Sequence, residues 1–212
     1  MIRIIIYSFI ATFLTACAVT KPFDYTNYRA NRPRSILVLP PINQTTNVDG
    51  TYGYYSTVTQ PIAERGYYIF PISLVDQFLK ENGMPGSGEM HEIPLEKAKT
   101  IFGADSILYI TLTDYGTKYQ VVNSETRVAA KGKLVDTKNG LLLWEGETAV
   151  VPDSSGGSDI ATLLVKAIVN QIISSSTDLS HKLSPKANDI LVKEGGGHGL
   201  LYGPFHPLYG SD

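Results

Sequence analysis

Cysteine is nearly absent from this sequence of 212 residues, which contains it only at Cys17. A single cysteine cannot form an internal disulfide, so the thiol is free, bridged to another chain or chemically modified. An excess of either charge is absent too, because 18 lysines and arginines face 20 aspartates and glutamates, for a net charge of -2. This balance provides no overall electrostatic attraction to nucleic acid or to an anionic membrane surface.

A long apolar run is also missing. A transmembrane helix needs roughly 20 apolar residues, and the apolar segment at the N-terminus is shorter. It consists of Arg3, an apolar run over residues 4–11, and then Phe13 with small residues. This order is typical of a signal peptide, to which we assign residues 1–16.

The residues at the end of this segment, Leu14, Thr15, Ala16 and Cys17, resemble the lipobox of bacterial lipoproteins. The resemblance implies cleavage before Cys17, a diacylglycerol on its sulfur and an acyl chain on its amine, with no further cofactor. Several acyl chains anchor a protein stably, whereas one chain binds only marginally. The alternative is a buried cysteine in an ordinary secretory leader.

The residue after the cysteine is Ala18. By the same resemblance, a non-acidic residue here implies export to the outer membrane of a Gram-negative bacterium, with the domain facing the periplasm. Display on the outer leaflet stays open. Residues 17–33 have no apolar period and contain two prolines, which predicts an extended lipidated tether. Tyr25 and Tyr28 are candidates to pack on the domain instead.

Apolar patterns predict the strands of a sheet. Residues 35–39 are a continuous apolar run closed by two prolines, typical of a central strand buried on both faces, and residues 67–70 repeat this pattern. Residues 106–115 alternate, which predicts a half-buried strand. Strands at 125–136 and 141–151 flank a turn whose Asn-Gly pair favours positive φ angles, and residues 119–122 are a candidate for another strand.

Helices are predicted between and after these strands. One covers residues 57–65. A second helix begins at Ser73 with a capping-box pattern and ends at the Asn82-Gly83 pair. A third begins at Pro94 and ends at Gly103. Leu74, Val75, Phe78 and Leu79 are expected on the inward face of the second helix, and Leu95, Ala98, Ile101 and Phe102 on that of the third. Residues 160–176 form a fourth helix with two apolar stripes, which fit deep packing or an interface.

The order of these elements predicts an α/β fold with a mixed sheet of about five strands and helices packed on its faces. We expect a single periplasmic domain over residues 34–193. Residues 194–212 are rich in glycine and proline, which predicts a flexible or partner-bound tail.

Motifs of catalysis are not found: the sequence lacks the hydrolase elbow, the phosphate-binding loop and the zinc-protease helix. The histidines at 91, 181, 198 and 206 do not have the spacing of two metal ligands on one helix face. Glu145 and Glu147 share a strand face, and solvated edge charge accounts for them better than general acid–base chemistry. We therefore predict no catalytic residues, no metal site and no enzyme activity.

Residues that suit binding are present instead. The glycine-flanked tyrosines Tyr52, Tyr54 and Tyr55 are candidate interface residues, because tyrosine offers a rigid, amphipathic contact. Capping of the core edge by their hydroxyls is an equal alternative. The second apolar stripe of the fourth helix adds Val165, Val169 and Ile173 as candidates.

The mature chain resembles a known group of periplasmic lipoproteins. The run from Ser35 to Thr45 is similar to the opening strand and loop of proteins related to the curli-export protein CsgG, to LpoB and to the TolB N-terminal domain. Residues 135–146, with Asp136, Gly140 and Trp144, are similar to their later hairpin. The suspected family is that of bacterial lipoproteins of unknown function that includes a neisserial genome-derived antigen.

This resemblance implies a TolB-N-terminal/CsgG-like fold and a non-catalytic interaction or assembly module, working with a CsgG-like lipoprotein in transport or surface assembly. The sequence departs from CsgG in that strands of about 9 to 11 residues with lipid-facing alternation are not evident, which argues against its forming the pore. A structural subunit that forms homo-oligomers is the alternative function, and a periplasmic hydrolase is a third class.

Overall fold

The computed structural model describes residues 23–119, 124–151 and 179–212. The helices in this part of the chain are α1 (Thr26–Asn31), α2 (Gly50–Tyr55), α3 (Thr59–Glu64), α4 (Ile72–Glu81), α5 (Ser87–His91), α6 (Leu95–Phe102) and α7 (Leu179–Lys193). The strands are β1 (Ser35–Val38), β2 (Ile42–Asn43), β3 (Tyr68–Ile69), β4 (Ser106–Tyr119), β5 (Ser124–Asp136) and β6 (Leu142–Val150).

These strands form one mixed sheet in the order β3-β1-β4-β5-β6, with β2 also paired to β4. Strand β1 runs parallel to β3 and β4, and β2 runs parallel to β4, whereas β4, β5 and β6 are antiparallel neighbours. The predicted α/β class with a mixed sheet is confirmed. The sheet has six strands rather than about five, because Pro40 and Pro41 end β1 and the chain pairs with β4 again as the separate strand β2.

Strand β1 is buried on both faces, as its continuous apolar run predicts. Ile36 and Val38 enter the core on one face, while Leu37 and Leu39 enter a separate core on the other. All four side chains are fully buried. The period of two along a strand therefore divides one apolar run between two layers.

The larger core lies between the sheet and helices α2, α3 and α7. Trp144 of β6 is its largest fully buried side chain, and Leu183, Ala187 and Leu191 of α7 pack in the same cluster. The indole Nε1 donates a hydrogen bond of 2.9 Å to the carbonyl of His198. This layer extends over the antiparallel strands as far as the edge strand β6.

The smaller core lies on the opposite face, beneath helices α4, α5 and α6. Val75 and Leu79 of α4, Met90 of α5 and Ala98 of α6 pack there with Ile107 of β4. These three helices extend across the sheet only as far as β4. On the same face, β5 and β6 present four exposed charged side chains, Lys131, Lys133, Glu145 and Glu147.

The predicted helix ends are partly confirmed. Helix α4 ends at Glu81, before the Asn-Gly pair, and Gly103 terminates α6 with a φ of 71°. The capping box at Ser73 is wrong, because α4 begins one residue earlier with Pro71 as its N-cap and no side-chain cap. Proline can start a helix here because its fixed φ suits the entry and no N–H is needed.

The turn of the β5–β6 hairpin also differs in detail from the prediction. Only Gly140 has a positive φ, of 70°. The Asp136 side chain accepts the backbone N–H groups of Lys138 and Asn139, at 2.7 and 3.1 Å. Asn139 therefore keeps an ordinary φ, because the aspartate closes the turn in place of a second left-handed residue.

The expectation of an extended tether is wrong for residues 26–31, which form helix α1. Tyr28 is 3% exposed, and its hydroxyl is hydrogen-bonded to that of Tyr67. The Tyr67 hydroxyl donates to the carbonyl of Leu201 at 2.7 Å, and that of Tyr25 donates to the carbonyl of Gly199. Burial of the aromatic side chains offsets the entropy lost on ordering this segment.

The expectation of a flexible tail over residues 194–212 is also wrong. Leu200 and Leu201 are buried, and the N–H of Gly203 donates to the carbonyl of Arg65 at 2.7 Å. A Cβ on Gly203 would collide with the backbone of Gly66. The glycines therefore allow close backbone approach rather than mobility.

The predicted helix at 160–176 and the candidate strand residues 120–122 lie outside the described residues. Strand β4 continues to Tyr119, beyond the predicted end at residue 115. Within residues 23–119, 124–151 and 179–212, no helix has both the length and the apolar character needed to cross a bilayer.

Candidate functional site

The three tyrosines proposed as an interface separate into two groups, because they lie on helix α2 rather than in a loop. Tyr54 is fully buried, and Tyr55 is 3% exposed with its hydroxyl donating to the carbonyl of Val38 at 2.8 Å. Burial raises the pKa of both phenols above the ordinary value. Tyr54 and Tyr55 are thus core residues, and their assignment to an interface is wrong.

Tyr52 alone faces solvent, with 49% of its surface exposed. Its hydroxyl donates to Asp76 at 3.1 Å, and the Lys80 ammonium donates to the other oxygen of the same carboxylate at 2.8 Å. The ammonium also lies 4.8 Å from the centre of the Tyr52 ring. Hydrogen bonds to Asp76 and Tyr52 raise the pKa of Lys80. The contacts fasten α2 to α4 and leave Tyr52 beside the outer surface of α4.

That outer surface carries a row of apolar side chains, which we call the α4–α6 surface: Phe70, Leu74, Phe78, Ile101 and Phe102. Leu74 is 62% exposed, Ile101 48% and Phe78 36%. The ring of Phe102 lies 5.4 Å from that of Phe78 and 6.1 Å from that of Phe70, in edge-to-face geometry. Phe78 and Ile101 line one shallow groove. The row is therefore continuous across two helices.

Sequence patterns miss this surface, because the helical period places Leu74, Phe78 and Ile101 on the inward faces of α4 and α6. Val75, Leu79 and Ala98 are buried as predicted, whereas Leu74, Phe78 and Ile101 are exposed. Helix α4 carried a signal, because its apolar residues from Ile72 to Leu79 form a broader stripe than one core contact needs, whereas those of α6 form an ordinary amphipathic stripe.

The exposed face of β5 and β6 holds Glu145 and Glu147, the candidate carboxylate pair. Glu145 and Glu147 stand opposite Lys133 and Lys131 in the register of the two strands. The Lys131–Glu147 ion pair measures 3.8 Å, and both side chains are more than 60% exposed. The site is an open cleft, with an amine opposite each carboxylate, and it has the character of solvated edge charge.

The four histidines lie apart. His91 Nε2 is 2.9 Å from the carbonyl of Pro40, and burial lowers the pKa of this imidazole more than that hydrogen bond raises it. His181 bonds to the carbonyl of Gly53, while His198 and His206 stack on aromatic rings. No group of three histidine, cysteine or acidic side chains among the described residues is arranged to hold a metal ion.

The remaining predicted site residues lie outside the described part of the chain. These are the lipobox residues Leu14, Thr15 and Ala16, the lipidation site Cys17, and the helix positions Val165, Val169 and Ile173.

Three comparisons with known proteins identify the family. The family model described as "Putative lipoprotein GNA1162-like" matches residues 23–205. A putative lipoprotein of Neisseria meningitidis is 42% identical over 194 residues, which cover 90% of each chain. The crystal structure of lipoprotein GNA1162 from Neisseria meningitidis matches with 44% identity and a TM-score of 0.56, covering 68% of this chain and 100% of that one.

A more distant match is the C-terminal domain of LpoB from Salmonella enterica, with 18% identity, a TM-score of 0.41, and coverage of 66% of this chain and 91% of that one. The model match and the neisserial relative each extend over most of the sequence, and they agree with the resemblance found in its motifs. The chain belongs to the GNA1162-like family of lipoproteins.

Proposed function

We propose that this protein is a lipid-anchored, non-catalytic module of the bacterial envelope that acts by binding another protein through the α4–α6 surface. The observation that carries the proposal is the exposure of this apolar row beside a complete hydrophobic core. Contiguous apolar patches of this kind on a soluble domain mark sites of interaction. Aromatic residues are also enriched where proteins bind each other.

The anchor part of the proposal is supported by the lipobox-like residues before Cys17 and by membership of a lipoprotein family. Acylation of Cys17 would tie the domain to a membrane by more than one chain, which is sufficient for stable attachment. Ala18 after the cysteine favours the outer membrane, with the domain on its periplasmic side.

The binding part of the proposal is supported by geometry. Phe70 and Phe102 join the exposed residues of α4 and α6 into one surface, and the rings contact each other edge to face. The core beneath the two helices is already filled by Val75, Leu79 and Ala98. Phe70 and Phe102 also pack against this core, whereas the exposed side chains of Leu74, Phe78 and Ile101 are available to a partner with a complementary apolar face. We propose a CsgG-like envelope lipoprotein as that partner, in transport or surface assembly.

A non-catalytic role is supported by the surroundings of the titratable groups. The cleft on β5 and β6 sets each glutamate opposite a lysine in open solvent, and the Asp76 carboxylate is occupied by Tyr52 and Lys80. General acid–base catalysis needs a group held within hydrogen-bond reach of a bound substrate, with a pKa adjusted to the task.

Site-specific photocrosslinking in intact cells tests the binding surface. A benzophenone amino acid at position 101 is expected to give an adduct with a second, different protein. The same probe at Val48, an isolated residue that is 87% exposed, is expected to give none.

The adduct from position 101 should disappear in a Leu74→Lys background, because the charge would have to be desolvated at the interface. Ser73→Lys, on the neighbouring exposed position of α4, is the matched control and should leave the adduct intact. An adduct between two copies of this chain would replace the proposal with the self-assembling subunit. No adduct at positions 74, 78 and 101, together with one at 48, would overturn it.

A further inference from the structure

A groove among helices α4, α5 and α6 adjoins the α4–α6 surface, and we call it the helical groove. Its apolar lining consists of Phe78, Met84, Ile93, Pro94 and Ile101. Phe78 and Ile101 also belong to the α4–α6 surface, so the two are continuous. The volume of the groove, about 400 Å³, lies within the range of about 300–1,000 Å³ that is typical of ligand pockets. The groove can therefore admit side chains of a partner.

Two carboxylates, Glu89 and Glu92, stand at the rim of the helical groove, and both side chains are exposed. The N–H of Glu92 donates to the carbonyl of Glu89 at 3.1 Å, so the two residues lie three positions apart in one helical turn. Side chains at this spacing are neighbours on a helix surface, with about 5–6 Å between their Cβ atoms. One cation can therefore reach both carboxylates.

The two carboxylates are not matched by cations of the described residues, whose ion pairs involve other side chains. One oxygen of Glu89 lies beside Gly86, at the N-cap of α5. Lys97 also lines the groove, so two carboxylates and one ammonium leave an excess of one negative charge. Residues 72–103 contain five acidic and three basic side chains, so the surroundings do not reverse this excess.

The described residues that line the groove come from helices and from the turns that join them, rather than from a strand. Their backbone groups are used within the helices: the N–H of Asn82 donates to the carbonyl of Phe78 at 3.1 Å, and that of Ala98 to the carbonyl of Pro94 at 3.0 Å. An extended peptide binds by adding to an unpaired strand edge, whereas a helix satisfies its own backbone and inserts side chains from one face. The groove is therefore suited to a helix.

We infer that the helical groove receives an amphipathic helix of the partner protein, whose apolar residues enter the groove and whose lysine or arginine lies between Glu89 and Glu92. This inference rests on the proposed function and specifies the chemistry of the partner. Burial of the apolar side chains provides affinity. The charge match fixes the orientation of the helix and speeds the encounter, and it relieves the repulsion between the two glutamates.

Photocrosslinking in intact cells tests the charge match. The probe is a benzophenone amino acid at position 74, which lies beside the groove rather than in it, and the measurement is the adduct formed per unit of light exposure. Combining Glu89→Lys with Glu92→Lys should reduce the adduct about tenfold or more, because like charges would then meet at the interface. Combining Glu89→Gln with Glu92→Gln should reduce it less, because the attraction is lost without a new repulsion.

Glu194→Lys is the matched control. Glu194 is exposed and follows α7, which packs on the opposite face of the sheet. The variant makes the same change of charge at a distance from the groove and should leave the adduct unchanged. Circular dichroism of the purified variants checks that each is folded.

Mass spectrometry of the adduct identifies the crosslinked segment of the partner. It should contain apolar residues at helical spacing, with a lysine or arginine within about one turn of them. Changing that basic residue to glutamate should restore the adduct in the variant that carries both lysines. A segment without a basic residue, or a segment of this same chain, would overturn the inference.

Failure of this inference is distinct from failure of the proposed function. An adduct at position 74 that persists in the variant with both lysines keeps the binding surface and refutes the basic helix. Absence of an adduct at positions 74, 78 and 101 of the otherwise wild-type chain contradicts the proposed function and, with it, this inference.

Discussion

The two faces of the sheet differ in how far the helices cover them. On one face, α2, α3 and α7 enclose a core that extends from β1 to the edge strand β6 and contains Trp144. On the other, α4, α5 and α6 cover the parallel strands and stop at β4, where charged side chains take over. The same strands β5 and β6 therefore contribute to a core on one face and to a polar surface on the other.

This difference predicts that one face of the sheet mainly stabilises the fold and that the other mainly contacts other molecules. The fully covered face contains the largest buried side chains and the bonds to the terminal segments, so changes there should affect folding. The partly covered face has a thinner layer, whose outer side exposes Leu74, Phe78 and Ile101. Changes there should affect contacts with other molecules more than folding.

The largest expected effect is that of Trp144→Ala. Removal of the buried indole from the larger core, with loss of its bond to the carbonyl of His198, should lower the free energy of unfolding by about 3–5 kcal/mol. Lys133→Ala, on the uncovered face of the neighbouring strand β5, should change it by less than about 0.5 kcal/mol. Denaturant unfolding followed by circular dichroism measures both, and similar losses in the two variants would erase the distinction between the faces.

A smaller effect is expected from alanine at two helical glycines. In α2, a Cβ at Gly53 would overlap the Tyr115 hydroxyl, whereas in α5 a Cβ at Gly88 has no atom within 4 Å. Gly53→Ala should therefore cost about 1–3 kcal/mol through overpacking. Gly88→Ala should stabilise the protein by up to about 1 kcal/mol, because alanine suits a helix better than glycine.

Thermal unfolding of the two variants measures how tightly the helices on each face of the sheet are packed, because both variants carry the same glycine-to-alanine change. If Gly53→Ala proved as stable as wild type, α2 would be free to shift, and the covered face would be less tightly packed than its contacts indicate.

The smallest expected effect concerns His91, at the border between the two regions. Its ring packs edge-on against Tyr109, 5.3 Å away, and the strand partner of Tyr109 is the exposed Lys133. Burial lowers the pKa of His91, so the unfolded chain binds a proton more readily than the folded one. Stability should be full above the unfolded pKa of about 6.5 and should decrease as the pH falls through that value toward the lower folded pKa.

Unfolding curves across this pH range, compared between wild type and His91→Gln, measure the effect. The variant should lose the part of the pH dependence that belongs to His91. An unchanged pH profile would mean that the helices on this face admit water at β4, and that the cover ends earlier than the burial of His91 implies.

Much of the fold follows from local pattern. The continuous run before Pro40 predicts the doubly buried strand β1, and alternation predicts β4, because a strand has a period of two. The paired glycines of the tail misled the prediction, since their composition is the same whether they provide mobility or close backbone approach. Only the contact of Gly203 with residue 66 decides between these.

Less of the candidate site was predictable. Tyr52, Tyr54 and Tyr55 are chemically alike, and only the helical turn of α2 directs two of them into the core and one to solvent. The α4–α6 surface depends on which side of each helix meets the sheet, and this depends on tertiary contacts. The lipobox-like residues 14–17 lie outside the described residues, so the lipidation site stays a prediction from the sequence.

The contact between the two terminal segments also bears on how the protein is made. The Tyr25 hydroxyl donates to the carbonyl of Gly199, and the Tyr28 hydroxyl bonds to Tyr67, which in turn donates to the carbonyl of Leu201. Arg29 donates to the main-chain oxygen of Asp212 at 3.3 Å. A chain emerging during synthesis contains Tyr25 and Tyr28 long before residues 199–201, with which they pack, have been made. The domain can therefore close only after residues 199–201 have been made, and a chain ended before them would leave the aromatic rings of Tyr25 and Tyr28 exposed to water.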